Sequence, residues 1–178
     1  LTSVDAGFDT AGVVTMGFLL QMEKDTDGER LSSYIGQAVE AVRAVPGVEE
    51  AAMTSALPLQ GWGFGMPFRI VGRSVEPSKR PSCYFKIVTP GDFRPLGMDL
   101  RKGRGLSESD SGSAVRVTVV NETFAQRNFA GRDPIGQHVL IEQIIPGKRQ
   151  LGPELAWQVV GVVADLKVNS LDSTCAGG

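Results

Sequence analysis

The stretch that decides the fold is Val115-Arg-Val-Thr-Val-Val-Asn-Glu-Thr-Phe-Ala-Gln-Arg-Asn-Phe129, which runs into Gly131-Arg-Asp-Pro-Ile-Gly136. Residues 115–120 are rich in β-branched side chains, which suit a pleated, half-buried surface and predict a strand. Asn121 or Thr123 then offers a side-chain oxygen to the free amides of a helix start. Phe124 and Phe129 anchor that short helix, which also carries Arg127 and Asn128. Asp133-Pro134 predicts a tight turn, because proline presets its own φ and aspartate bonds the local backbone. The strand His138 to Glu142 follows.

Towards the C-terminus, residues 144–154 contain Pro-Gly-Lys-Arg-Gln and read as a long hairpin loop. Residues 157–167 form the last predicted strand; its apolar centre, Val159 to Ala164, suits a place inside a sheet. Towards the N-terminus, Thr89-Pro-Gly-Asp-Phe opens a predicted short helix, with Asp92 as its cap, Phe93 and Leu96 inward and Gly97 at its end. Residues 106–110 form an acidic surface turn. Strands are predicted over residues 67–71 and 83–88, separated by a polar loop at 73–82.

The first third follows a different pattern. Residues 13–21 alternate as a strand, with Val14, Met16, Phe18 and Leu20 on one side. Thr26 and Glu29 match a capping box, and Leu31, Ile35, Ala38, Val42 and Val45 form one apolar stripe over a helix at 29–44. Pro46-Gly47 stops the helix and residues 48–57 read as the next strand. Strand, helix and strand make a βαβ-like unit. Leu59 to Gly65, with Gln-Gly-Trp-Gly-Phe-Gly inside, marks a joint or mobile loop, because glycine frees the backbone. The fold class read from these elements is α+β and two-lobed: residues 1–62 form the βαβ lobe, and residues 63–178 a smaller mixed α/β lobe rich in antiparallel strands.

Composition bounds the function. The chain has 178 residues, is 42% hydrophobic and 21% charged, and carries a formal net charge of −2. It can bury a core, and it lacks the basic field that nucleic acid requires. Local cations (Lys79, Arg80; Arg101, Lys102, Arg104; Lys148, Arg149) fall in predicted turns and read as solvated charges. No apolar run approaches the ~18 residues needed to cross a bilayer. With no initiator Met and no signal-type segment, the chain reads as a piece of a longer protein.

No catalytic constellation is evident. His138 is the one histidine, so a paired-histidine metal site is excluded. Gly61 to Gly65 is followed by a strand, whereas a phosphate loop opens a helix. Lys148 lacks the Walker A framing, and Ser107, Ser109, Ser111 and Ser113 have no histidine base in sequence. Glu108 and Asp110 have no glycine-framed calcium loop around them. Cys83 and Cys175 show no metal-ligand spacing, and a disulfide between them would need Cα atoms about 5.5 Å apart. Neither a catalytic residue, a cofactor nor a metal is assigned. Trp62 and Phe64 remain as candidate contact residues for a partner or ligand, exposed in a glycine-rich loop or folded back as a lid on the core.

The order and spacing of several phrases carry a resemblance. They are Asp5-Ala-Gly-Phe-Asp9, Val45-Pro-Gly-Val-Glu49, Ser55-Ala-Leu-Pro-Leu59, Phe68-Arg-Ile-Val-Gly-Arg73 and Val88-Thr-Pro-Gly-Asp-Phe-Arg-Pro-Leu-Gly97. Gly103-Arg104, Val119-Val-Asn-Glu-Thr-Phe-Ala125, Asp133-Pro-Ile-Gly136 and Val160-Gly-Val-Val-Ala-Asp165 complete the set. Together they resemble the periplasmic core domain of MacB-type ABC transporter permeases in the FtsX-like superfamily, and most of all its orphan duplicated-permease branch. The resemblance implies flanking transmembrane helices, an extracytoplasmic (periplasmic) domain of an inner-membrane protein, and ATP hydrolysis in a separate cytoplasmic domain. It also implies a porter-like first lobe, a Sabre-like second lobe, and contact with an adaptor protein or a second permease copy.

This chain departs from that pattern after Val-Val-Ala-Asp165, where the family's first lobe receives a second βαβ unit. The first lobe is therefore expected to be incomplete. Its edge at 13–21 or 48–57 is expected to be open and to pair with a second copy as a homodimer. The function expected is a non-catalytic module that transmits conformational change and contacts partner proteins or substrate. The rival is an extracytoplasmic ligand-sensing domain with Trp62 and Phe64 lining a cleft between the lobes.

Overall fold

The computed structural model describes residues 12–17, 28–57, 64–91, 98–111, 115–145 and 150–165. Two α-helices and six β-strands appear among them. In chain order they are α1 (Gly28–Arg43), β1 (Phe64–Ile70), β2 (Ser82–Phe85), β3 (Leu100–Gly103), β4 (Arg116–Asn121), α2 (Glu122–Phe129), β5 (His138–Glu142) and β6 (Glu154–Val163). Single 3-10 turns sit at Pro77–Lys79 and Glu108–Asp110. The fold is mixed α and β, as the sequence predicts, and antiparallel pairings predominate in its sheet.

β6 organises that sheet. One of its edges pairs with β5 over Glu154 to Gln158, antiparallel, and then with β3 over Gly161 to Val163, also antiparallel. The opposite edge pairs with β4 in parallel from Trp157 to Val163. Beyond β5 the sheet continues through β1 to β2. A ten-residue strand bonded on both sides is shielded from water, which explains its apolar centre. Pro67 sits inside β1 without breaking it. The Phe68 N–H bonds the Pro81 carbonyl at 3.0 Å, so the nitrogen of residue 67 faces the other edge, where the β5 ladder starts only at Phe68.

β6 carries a bulge. Thr118 pairs with Val159 but Val119 pairs with Gly161, so Val160 is extra on the β4 side. An extra residue reverses which side chains face which way. Val159 and Val162, three apart, therefore share the core under α2, where Val159 is wholly inaccessible. Phe68, Phe124 and Phe129 fill the same core, with the Phe68 and Phe124 rings 5.0 Å apart. Val163 enters a second cluster with Ala52, Val88, Met98, Leu106 and Val119.

Several expectations need correction. Residues 13–17 are exposed and form no strand, with Val14 87% accessible; 18–21 lie outside the described residues. Among the described residues, 48–57 make one bridge, Thr54 to Val88, supported by Ser55 N–H to the Ile87 carbonyl at 2.8 Å and Thr89 N–H to the Met53 carbonyl at 3.0 Å. Alternation yields a strand only where a neighbour supplies a ladder, and no described residue supplies one there. Conversely β3, wholly exposed and lacking any apolar alternation, forms because β6 offers it an edge where β5 ends. β2 stops at Phe85 rather than residue 88, and β6 spans Glu154–Val163 rather than 157–167. The helix at 29–44 is α1, with Leu31, Ile35, Ala38 and Val42 half-buried, Val39 buried and Val45 exposed. Thr26 and the helix predicted around Asp92, Phe93 and Leu96 lie outside the described residues.

Candidate functional site

Four of the phrases quoted from the sequence, Gly103-Arg104, Val119 to Ala125, Asp133 to Gly136 and Val160 to Asp165, meet around the last half of β6. The Asp165 carboxylate, just past the strand, accepts from Asn121 Nδ2 (2.5 Å), Thr123 N–H (3.1 Å) and Thr123 Oγ1 (2.5 Å). The Asn121 amide is thereby oriented, and its Oδ1 accepts from the Phe124 N–H at 3.0 Å as the cap of α2. A carboxylate at a helix start also meets the positive end of the helix dipole. Asp165 thus fastens the exit of β6 to the first turn of α2.

Two glycines face each other at the bulge. Gly103, at φ +75°, pairs with Gly161. A Cβ on Gly161 would fall 2.2 Å from the Arg104 carbonyl oxygen, and one on Gly103 would fall 2.2 Å from the Val160 carbonyl oxygen. That carbonyl accepts from the Arg104 N–H at 2.9 Å. The Asp133-Pro-Ile-Gly136 turn closes the same place. Gly136 N–H bonds the Val159 carbonyl at 2.8 Å, Ile135 packs against the α2 core, and Lys102 reaches Asp133 at 2.9 Å. The Lys102 ammonium, and then the Ile135 N–H, hold the Asp133 carboxyl below its usual range.

Ion pairs secure the neighbouring segments. Arg104 grips Asp110 with two hydrogen bonds of 2.7 and 2.8 Å, and Asp110 also accepts from Ser107 N–H (2.8 Å) and Ser107 Oγ (2.9 Å). The guanidinium first, and the Ser107 N–H second, hold the Asp110 carboxyl far below its ordinary value. At the opposite end of β6, Glu154 pairs with Arg69 and with Arg80, the latter at 3.0 Å. Its carboxyl is lowered, chiefly by the Arg69 hydrogen bond. Two of the cation groups read as solvated turn charges are therefore engaged in named pairs; Lys148 and Arg149 lie outside the described residues.

The candidate contact residues Trp62 and Phe64 are not tested by the described residues. Trp62 lies outside the described residues, and Phe64 opens β1 opposite Phe85, its side chain undescribed. His138 is half-buried on β5 opposite Gln158, and its carbonyl accepts from the Val71 N–H at 3.0 Å. Ser107 caps a turn and meets Ser109 at 2.8 Å; Ser113 lies outside the described residues. Cys83 is buried, its thiol pushed up to about 11 by desolvation, and Cys175 lies outside the described residues. A groove of about 220 Å³ lies over Cys83, Phe68 and Phe124, rimmed by Ser82, Arg127 and Asn128. Among the described residues no three His, Cys, Asp or Glu side chains are placed to hold a metal ion. The Asp165 lock and the glycine crossing were missed by sequence reasoning. The cap was legible as Asn121 or Thr123, and it is Asn121, but its partner Asp165 is 44 positions away.

No helix among the described residues is long and apolar enough to cross a membrane. No curated protein matches the chain. Among solved structures, the periplasmic region of MacB from Actinobacillus actinomycetemcomitans is similar at 20% identity, covering 83% of this chain and 60% of that one, with a TM-score of 0.47. The extracellular domain of the ABC-type transporter YknZ from Gram-positive bacteria is similar at 18% identity, covering 77% and 63%, with a TM-score of 0.47. This chain therefore spans under two thirds of the length of either structure. The model of the MacB-like periplasmic core domain matches residues 3–174. With nearly its whole length matched, the chain belongs to the MacB-like periplasmic core domain family.

Proposed function

We propose that the domain is a non-catalytic, extracytoplasmic part of an ABC transporter permease, and that its work is mechanical. In this reading it passes displacement between flanking transmembrane helices and a partner outside the membrane, while a separate ATPase supplies the energy. Residues 1–62 and 63–178 would act as its two lobes, and an adaptor or a second permease copy as its partner. The observation that carries the reading is the construction of β6. It is bonded along both edges and fastened to α2 through Asp165, so a pull at residue 165 is delivered to the whole sheet. Transmission requires differential contacts in two states.

The test uses the full-length permease with its ATPase. Asp165→Asn is expected to leave ATP hydrolysis in place and to reduce the transport or partner response coupled to it. Trp62→Ala with Phe64→Ala is expected to weaken partner association without loss of ATPase activity. Full coupling in the Asp165 variant, with its cap shown to be disrupted, overturns the mechanical reading.

A further inference from the structure

The bulge at Val160 does more than relieve the sheet. On a regular strand Val159, Gly161 and Val163 would share one face, with Val162 on the other. The extra residue sends Val162 to the core under α2 and Val163 to the second cluster. That second cluster is where the chain's first third meets the sheet, because Ala52 belongs to it and Thr54 bridges to Val88. On the other edge of β6 the bulge coincides with the change from β5 to β3, and β3 carries its own irregularity between Leu100 and Lys102. The Val160 carbonyl, turned out of regular register, finds its donor in Arg104. The Gly103–Gly161 pair has no room for a Cβ on either side.

We propose that this bulge is a coupling joint, at which β6 divides the domain into two cooperative units that open separately. One unit comprises β1, β2, β5, α2 and the first half of β6. The other comprises β3, the segments around residues 51–57 and 86–89, and the end of β6 at Val163 with Ala164 after it, while β4, paired with β6 on both sides of the bulge, and the Asp165 lock on α2 span the two. The glycine crossing holds the second unit to the first. The inference supplies a joint for the mechanical role proposed above and rests on that role only for its biological consequence.

Amide hydrogen exchange of the 178-residue chain tests it, because separate units exchange with separate opening free energies. In the unaltered chain, Arg104, Ala164, Ser55 and Thr89, whose N–H groups bond Val160, Asp99, Ile87 and Met53, are expected to form one protection group. Phe68, Val71 and Val159, bonded to Pro81, His138 and Gln137, are expected to form a more protected one. Gly161→Ala is expected to cut protection in the first group about tenfold or more while changing the second little. Val163→Ala removes only a side chain from the second cluster and is expected to give the same pattern if Gly161→Ala does not fold. One common protection level in the unaltered chain, or a uniform loss in the variant that folds, overturns the joint. Unchanged exchange in both variants overturns it equally. None of these readouts involves transport, so failure here leaves the mechanical reading to its own test.

Discussion

Asp110 shows how one side chain can close a loop without any chemistry of its own. Its carboxylate takes both Arg104 nitrogens and the Ser107 donors, so the charged form is favoured in the folded state. A depressed carboxyl stabilises the fold above the unfolded value, and that stabilisation is lost as pH falls. Asp110→Asn is therefore expected to lower the melting temperature at neutral pH. Its deficit should shrink as pH drops below the ordinary carboxyl value of about 4. Arg104 is half exposed, so added salt should shrink the deficit too. Circular dichroism melts from pH 7 to pH 2 check this, and a deficit constant with pH counts against it. None of it was legible beforehand, because residues 106–110 look like an ordinary acidic turn until Arg104 folds onto them. Gly161 is the opposite case: it stands in plain view within the apolar run Val159 to Ala164, but the carbonyl that requires it belongs to Arg104, far away in the chain.

Among the elements, β4 and α2 were the most legible, because β-branched residues, a capping Asn and two aromatic anchors agree with each other. β3 was illegible, since its residues have no preference that β6 does not impose. Residues 13–17 and 48–57 had the right pattern but have no ladder among the described residues, so local preference had nothing to act on. The joint between β6 and α2 can be measured directly. Asn121→Ala removes the α2 cap and is expected to cost about 1 kcal/mol. Asp165→Asn leaves a donor facing Thr123 and is expected to cost about 1–3 kcal/mol. Because Asn121 and Asp165 bond each other, the double variant should cost less than the sum of the two. Urea denaturation of the four chains gives the coupling, and strict additivity would remove the link between strand exit and helix start.

For the whole molecule, the mixed α and β class and the central place of the last strand followed from the sequence, since one long apolar segment was present and had to be enclosed. Its pairing partners did not follow, because parallel β4 and antiparallel β3 and β5 are joined to it by connections of very different length. The core under α2 carries the stability of the sheet. Val139 and Val159 are its most deeply enclosed aliphatic side chains, so Val159→Ala is expected to cost about 2 kcal/mol and exposed Val14→Ala almost nothing. Thermal or urea unfolding of the two variants checks this contrast, and equal effects would mean that the core lies elsewhere.

The position of β6 in the chain bears on how the protein is made. Three of the other described strands bond to it, yet it comes after all five of them. A growing polypeptide that has not yet delivered residue 163 holds β3 and β4 without their ladder, and must keep the apolar face of β4 from strangers in the meantime. Such late, long-range closure is slow compared with local helix formation. Biogenesis of this domain should therefore lean on holding factors until β6 arrives, and chains cut short before Glu154 should aggregate rather than settle into a smaller fold.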